Sequence, residues 1–135
     1  MKKILLILGL LIAVSCSSTE QLEDKTVKQK QVDDKNKSAA ASDHFVDGTI
    51  LEMKGKYAEA IIEYQQALEL DPDGGIYFAL AKNYFRLNKM PLAIKNAKKA
   101  VEYDKKHIEY KELLGKIYLN SQLPDSAISV FEDIT

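Results

Sequence analysis

An alanine–isoleucine pair recurs three times along this chain at a nearly constant interval. The copies are Ala60-Ile61, Ala93-Ile94 and Ala127-Ile128, which lie 33 and then 34 residues apart. A fixed period of about 20 to 50 residues indicates repeated supersecondary units, each of which buries its apolar face against the next. The chain is therefore expected to be a stack of similar units.

Around each pair, apolar residues recur at intervals of three and four, which is typical of amphipathic helices and not of alternating strands. Six helices are predicted, at about 42–53, 57–70, 75–87, 91–103, 108–120 and 124–134. Turns are expected at 54–56, 88–89 and 120–122. Pro91 and Pro124 suit the first turn of the helices that follow them. The predicted fold class is all-α.

The residues that recur around the three pairs resemble the tetratricopeptide repeat (TPR), a helix-turn-helix unit of about 34 residues. The matching residues are Gly48, Leu51, Gly55, Tyr57, Ala60, Tyr64, Ala67 and Pro72, then Leu80, Ala81, Tyr84, Asn88, Ala93, Ala97 and Ala100, then Leu114, Gly115, Tyr118, Ala127 and Phe131. The resemblance implies an α-solenoid of about three repeats, at about 41–73, 74–106 and 107–135, which form a domain over residues 44–135.

Three departures from the family pattern carry expectations of their own. His44 and Asp47 stand where the family usually has a large aromatic residue and a leucine, so the first helix is expected to fray or pack poorly. The second repeat has Lys105 in place of the closing proline. The third stops at Thr135, before its closing phrase. Between the first two repeats, the Gly74-Gly75 pair is expected to form a tight turn.

The first residues have the pattern of a secretory signal. Lys2 and Lys3 precede eleven apolar residues at 4–14, which as a helix would extend about 16 Å and fall short of the roughly 30 Å core of a bilayer. The run at 13–16, Ala-Val-Ser-Cys, resembles the lipobox of bacterial lipoproteins. That resemblance implies a signal peptide at 1–15 and lipidation of Cys16. The alternative is an ordinary signal peptide that carries a cysteine near its end.

The lipobox resemblance also predicts a location. The protein would be anchored by lipid in the bacterial cell envelope, and Ser17 after the cysteine favours the outer membrane by the same resemblance. Residues 17–43 contain no aromatic residue, glycine or proline and cannot bury enough surface to fold alone. Residues 16–43 are therefore predicted to be a flexible, disordered tether, although interleaved charges permit nascent helix around 20–37.

In the TPR family, the first helices of the repeats line a concave face that receives peptides. Carried over to the matching positions, that groove would present Phe45, Thr49, Glu52, Phe78, Lys82, Phe85, Arg86, Glu112, Lys116 and Leu119. An aromatic pair beside two cations suits an extended segment with an apolar anchor and a carboxylate. The alternative is that one of these phenylalanines belongs to the core.

The family's readers of chaperone tails use a clamp of lysine and asparagine on successive first helices. The corresponding residues here are Phe45, Thr49, Phe78, Lys82, Glu112 and Lys116. Because they depart from the clamp, binding to chaperone tails is not predicted.

Charge is segregated by repeat although the whole chain carries a net charge of only −1. Acidic and basic residues number 8 and 2 in residues 41–73, 2 and 8 in 74–106, and 5 and 2 in 107–135. The near-neutral total argues against a dedicated nucleic-acid binder. The basic middle repeat would steer an acidic partner; the alternative is that neighbouring repeats pair across solvent.

The sequence offers no constellation for catalysis, metal or cofactor binding. A single cysteine excludes a disulfide framework, and His44 and His107 are 63 residues apart. No phosphate-binding loop and no GxSxG motif are found. We therefore expect no enzyme activity.

The sequence predicts a membrane-anchored TPR lipoprotein that serves as a protein-protein interaction module or scaffold. The alternative is an assembly factor that self-associates through an uncapped last helix, with Ile128, Phe131 and Ile134 as the association edge. A third possibility is a fragment of a longer repeat protein.

Overall fold

The computed structural model describes residues 17–134, with side chains from residue 26 onward. This part of the chain contains six helices and no strand. They are α1 (Ser17–Met53), α2 (Tyr57–Leu70), α3 (Gly74–Arg86), α4 (Met90–Tyr103), α5 (Ile108–Asn120) and α6 (Pro124–Glu132). The predicted all-α class is confirmed, and the predicted bounds of the last five helices agree within two residues.

The first helix begins much earlier than predicted, at Ser17 instead of about residue 42. The side chains of residues 26–39 are exposed, so packing does not explain this part of the helix. Residues 17–43 lack helix breakers and place polar partners one turn apart, as in the 3.4 Å contact between Gln29 and Asp33. The expected flexible linker is therefore helical here, and its role as a tether stays a prediction. The predicted signal peptide and Cys16 lie outside the described residues.

The chain divides after residue 36 into two compact units, and all the repeats lie in the second. Within that unit, each hairpin turns at a residue with left-handed backbone. These residues are Gly55 (φ 74°), Asn88 (φ 57°) and Gln122 (φ 58°). The next residue donates its N–H to the carbonyl five positions earlier, at 2.8–2.9 Å: Lys56 to Leu51, Lys89 to Tyr84 and Leu123 to Tyr118. The predicted turns are confirmed.

In each hairpin, a small residue of the first helix packs against a residue of the second helix. A methyl group added at Gly48 would lie 2.8 Å from the ring of Tyr64, and one at Gly115 would lie 2.5 Å from the ring of Phe131. The glycines therefore leave the space that these two rings occupy. The middle repeat uses alanine at both positions, the fully buried Ala81 and Ala97.

The first and third repeats place a histidine and a lysine where the middle repeat has Tyr77, and each has a partner elsewhere in its own hairpin. His44 Nδ1 lies 2.8 Å from Glu63 Oε2 on α2. Lys111, 8% exposed, pairs at 2.6 Å with Asp133, the residue that follows α6. The His44 contact holds α1 in place on α2, so the expected fraying of α1 near residue 44 does not occur.

Successive hairpins stack through contacts of α2 with α3 and of α4 with α5, and the first helices α3 and α5 also touch. The prediction of a turn at Gly74-Gly75 is wrong. Both glycines begin α3, where Asp73 caps the helix by accepting the N–H of Gly75 at 2.7 Å, and neither has a positive φ. A methyl group at Gly74 would lie 3.0 Å from Cβ of Tyr103. Close packing of α3 against the end of α4, not a turn, requires a glycine there.

Candidate ligand groove

The first helices of the three hairpins line a groove. Between α1, α3 and α5 lies a hollow of about 440 Å³. Its lining residues are Phe45, Thr49, Glu52, Met53, Tyr64, Gly75, Phe78, Ala79, Lys82, His107, Glu109 and Tyr110. A second hollow of about 360 Å³ is lined by Phe78, Glu109, Glu112, Leu113 and Lys116. The two hollows share Phe78 and Glu109, so they form one continuous groove.

Aromatic rings form the walls of the larger hollow. At one end, the rings of Phe45 and Tyr64 have centroids 5.4 Å apart. At the other end, Phe78 lies 5.1 Å from Tyr110, which stacks on His107 at 3.9 Å with an angle of 5° between the ring planes. Rings at these distances attract one another and hold their positions, so the walls are preorganised for an apolar ligand.

Tyr110 reaches the groove because α3, against which its ring packs, begins with two glycines. A methyl group at Gly74 would lie 3.2 Å from Cε2 of Tyr110, and one at Gly75 would lie 3.8 Å from its hydroxyl oxygen. A larger side chain at Gly74 would push the ring away. The Gly-Gly pair is thus the sequence signal for this contact. The predicted groove, taken from positions that match the family, did not include Tyr110 or His107.

Glu52 joins the first two repeats inside the groove. Its Oε2 accepts hydrogen bonds from the Tyr64 hydroxyl and from Nδ2 of Asn83, both at 2.9 Å. Its Oε1 lies 2.7 Å from Nζ of Lys82. Burial raises the pKa of Glu52, but the bonds from Lys82, Asn83 and Tyr64 outweigh it, so the pKa lies below the ordinary value. The carboxylate is therefore charged at neutral pH.

The opposite shift occurs at Tyr64. Burial raises its pKa to about 12, and the charge of Glu52 adds to this effect, while the hydrogen bond to Thr49 opposes it. The hydroxyl therefore stays protonated at physiological pH. It serves Glu52 as a hydrogen-bond donor.

Most of the predicted groove residues lie in the groove, and three do not. Phe45, Thr49, Glu52, Phe78, Lys82, Glu112 and Lys116 line the two hollows, whereas Phe85, Arg86 and Leu119 do not. Phe85 packs against the hydrophobic core, as the alternative interpretation of one phenylalanine had it, and Arg86 is exposed in the last turn of α3. The placement of Phe85 and Arg86 in the groove is corrected accordingly.

The electrostatic prediction for the groove also changes. Lys82 was expected to offer its charge to a ligand carboxylate, but Glu52 already engages it, and its Nζ lies 5.7 Å from the ring centroid of Phe78. Arg86 is outside the lining of both hollows. Among the described residues that line the larger hollow, the one ammonium group, Lys82, is therefore already paired with a carboxylate.

The match to known protein families agrees with this architecture. Residues 48–73 match one model of the tetratricopeptide repeat, and residues 74–107 match a second model of the same repeat. Residues 48–107 are therefore similar to two consecutive tetratricopeptide repeats. The α5–α6 hairpin, which follows these matches, repeats the geometry of the first hairpin, with Gly115 facing Phe131 as Gly48 faces Tyr64. A comparison with curated proteins finds no match.

Solved TPR structures superpose on this chain. The first TPR of Spaghetti (RPAP3) bound to the HSP90 peptide SRMEEVD has 26% identity and a TM-score of 0.69, over 72% of this chain and 78% of that one. The second TPR of Spaghetti, bound to the same peptide, has 22% identity and a TM-score of 0.71, over 75% and 94%. The Arabidopsis OM64 TPR domain has 18% identity and a TM-score of 0.69, over 73% and 82%. The last two show the fold alone.

Proposed function

We propose that this protein is a scaffold of the bacterial cell envelope whose TPR domain holds an extended segment of a partner protein. The observation that carries the proposal is the continuous groove along α1, α3 and α5, walled by Phe45, Phe78 and Tyr110. Its aromatic rings offer an apolar side chain a hydrophobic contact surface, and its open length suits an extended peptide.

One of the similar solved structures, the first TPR of Spaghetti at 26% identity, holds an HSP90 peptide, which supports peptide binding by this domain as well. The groove residues here nevertheless differ from the lysine and asparagine clamp of the chaperone-tail readers. Phe45 and Phe78 occupy two of its positions, and Lys82 is paired with Glu52. We therefore expect a partner other than an acidic chaperone tail.

The test is capture of the partner by the full chain in detergent-solubilised envelopes, with crosslinking. Phe78→Ala removes the ring shared by both hollows and should abolish capture. Leu92→Ala, at a residue of α4 that is 40% exposed and outside the groove, is the matched control and should capture normally. Equal capture by both variants, with helicity unchanged in circular dichroism, would rule out the groove.

Anchoring to the membrane is part of the proposal and depends on Cys16. The support is the lipobox resemblance at residues 13–16. Over residues 17–134, no helix combines the length and the apolar character needed to cross a bilayer. Labelled palmitate should enter the wild-type chain and not Cys16→Ala, and density fractionation should place the lipidated chain with the outer membrane. A chain that takes up no label would overturn the anchor and leave the groove untouched.

A second candidate function is self-association, and the exposure of α6 favours it. Ile61 and Ile128 occupy the same repeat position, yet Ile61 is 7% exposed and Ile128 is 54% exposed. In the first repeat, this face is covered by the helix that follows. Phe131, 36% exposed, lies on the same side of α6, and Ile134 is partly buried.

The complementary face is on α1. Val46 and Ile50 are 52% and 44% exposed, whereas the matching residues of α3, Ala79 and Asn83, are buried against α2. A second copy could therefore stack its α1 on α6, head to tail.

Sedimentation at rising concentration tests this second candidate. The wild type and Ile62→Asp should associate, since Ile62 is 53% exposed on α2 and belongs to neither face. Ile128→Asp should stay monomeric. A wild type that is monomeric throughout would exclude this function.

A further inference from the structure

The end of the groove formed by α5 combines aromatic faces with unpaired carboxylates. Glu109 and Glu112 are three residues apart, which places them on one face of α5, and both line the smaller hollow beside Phe78. Both side chains are exposed. In the described part of the chain, neither forms an ion pair, and Lys116 one turn later is not paired with Glu112.

The negative potential extends to the aromatic wall. Burial raises the pKa of Tyr110, and the charges of Asp73, Asp104 and Glu109 raise it further. Asp73 caps α3, and Asp104 lies in the loop before α5, so carboxylates approach this ring from three elements. A cation placed near Tyr110 would be attracted by all three.

The basic residues of the middle repeat do not cancel this charge. Lys82 lines the groove but is held by Glu52 at 2.7 Å. The other basic residues of that repeat are outside the lining; they are Arg86, Lys89, Lys95, Lys98, Lys99, Lys105 and Lys106. Among the described lining residues, Lys116 is the one ammonium group without a carboxylate partner, against the two carboxylates of Glu109 and Glu112. The lining of the groove therefore carries more acidic than basic groups, although the middle repeat as a whole is basic.

We propose that this end of the groove binds a lysine or arginine side chain of the partner segment. Its charge would lie between Glu109 and Glu112, beside the ring of Phe78, while a neighbouring apolar residue enters the hollow between Phe45 and Phe78. A cation above an aromatic face is attracted by the ring quadrupole, and Lys82 makes such a contact with Phe78 on the other side. The inference rests on the proposed function, and it names the class of peptide.

Three fluorescent peptides that differ in one residue type test the charge preference on the full chain. Each has the sequence Gly-Leu-Xaa-Phe-Xaa-Leu-Gly, with Xaa as arginine, glutamine or glutamate. The arginine peptide should bind about tenfold more tightly than the glutamine peptide, and the glutamate peptide should bind most weakly. Added salt should weaken the arginine peptide and strengthen the glutamate peptide.

Variants locate the effect. Replacing both acids, with Glu109→Gln and Glu112→Gln, should reduce the affinity for the arginine peptide to that of the glutamine peptide. The same change of charge at Glu59 and Glu69, two exposed residues of α2 outside the groove, should have no effect. All four side chains are exposed, so both double variants should fold, as circular dichroism would verify.

The outcomes separate the two proposals. Equal binding of the three peptides, lost in Phe78→Ala, would overturn the charge preference and keep the peptide groove. Tighter binding of the glutamate peptide would also overturn it. Binding of none of the three would count against the groove and this inference together.

Discussion

Nδ2 of Asn83 on α3 donates a hydrogen bond of 2.9 Å to Oε2 of Glu52 on α1. Asn83 is fully buried, and its Nδ2 also bonds the carbonyl of Ala79 at 2.8 Å. This contact between first helices fixes the first repeat against the second. Glu52 is therefore a structural residue of the groove as well as part of its lining.

Removing the Glu52 carboxylate should destabilise the fold. Glu52→Ala removes from a part-buried site the carboxylate that accepts hydrogen bonds from Asn83 and Tyr64 and pairs with Lys82, which should lower the free energy of unfolding by about 1–3 kcal/mol. Urea denaturation of the full chain measures it. Glu59→Ala breaks an exposed pair with Lys56 and should cost less than about 0.5 kcal/mol. Similar losses in the two variants would contradict the joining role.

Acid should weaken the domain through the same residue. The pKa of Glu52 is lowered from 4.5 in the folded chain, so the unfolded chain takes up the proton first as the pH falls. The stability that this group provides is present above its unfolded pKa and is lost as the pH falls through the folded pKa.

Urea midpoints measured from about pH 6 to about pH 3 should therefore fall more steeply for the wild type than for Glu52→Gln, which has no proton to gain. The prediction fails if the two curves run parallel.

The two glycine–ring pairs should respond differently to a methyl group. Tyr64 is 1% exposed and cannot move aside, so Gly48→Ala should cost about 1–3 kcal/mol. Phe131 is 36% exposed and can rotate toward solvent, while alanine gains about 1 kcal/mol of helix propensity over glycine. Gly115→Ala should thus be close to neutral in thermal or urea unfolding. A larger loss at Gly115 than at Gly48 would refute this difference between the two rings.

The third hairpin turn should be improved by glycine. Gln122 has a φ of 58°, a left-handed conformation that costs a residue with a side chain roughly 1–2 kcal/mol. After the entropic cost of glycine, Gln122→Gly should raise the free energy of unfolding by about 0.5 kcal/mol. Asn88→Gly should change little, because asparagine tolerates this conformation. Gln66→Gly, in the middle of α2, should lower it by about 1 kcal/mol. Urea unfolding of the three variants would decide, and a loss at Gln122 would exclude strain in the turn.

The hairpins could be predicted from the repeat period, because helices and tight turns depend on residues that are close together in the sequence. The spacing of apolar residues set the helices, and Gly55 and Asn88 marked two of the three left-handed turns. The secondary structure of residues 17–43 was harder to predict. Their composition excludes burial, but helix formation through charges one turn apart needs no burial, and composition alone could not decide between helix and coil.

The groove was predictable by position and not by charge. Matching positions brought Phe45, Phe78 and Lys116 into the lining. Counting charges along the middle repeat suggested a basic site, because a count cannot show that Glu52 neutralises Lys82 or that the other lysines lie elsewhere. Tyr110 enters through space left by a glycine in the preceding repeat, which is a relation between distant residues.

The ion pair between Lys82 and Glu52 also makes ligand recognition and mechanical integrity of the solenoid interdependent. A carboxylate that competed for the Lys82 ammonium would remove one hydrogen-bond donor from Glu52 and weaken the contact between the first two hairpins. An acidic ligand would thus destabilise the packing that forms its own binding site, whereas a basic ligand would leave the contact between the two hairpins intact.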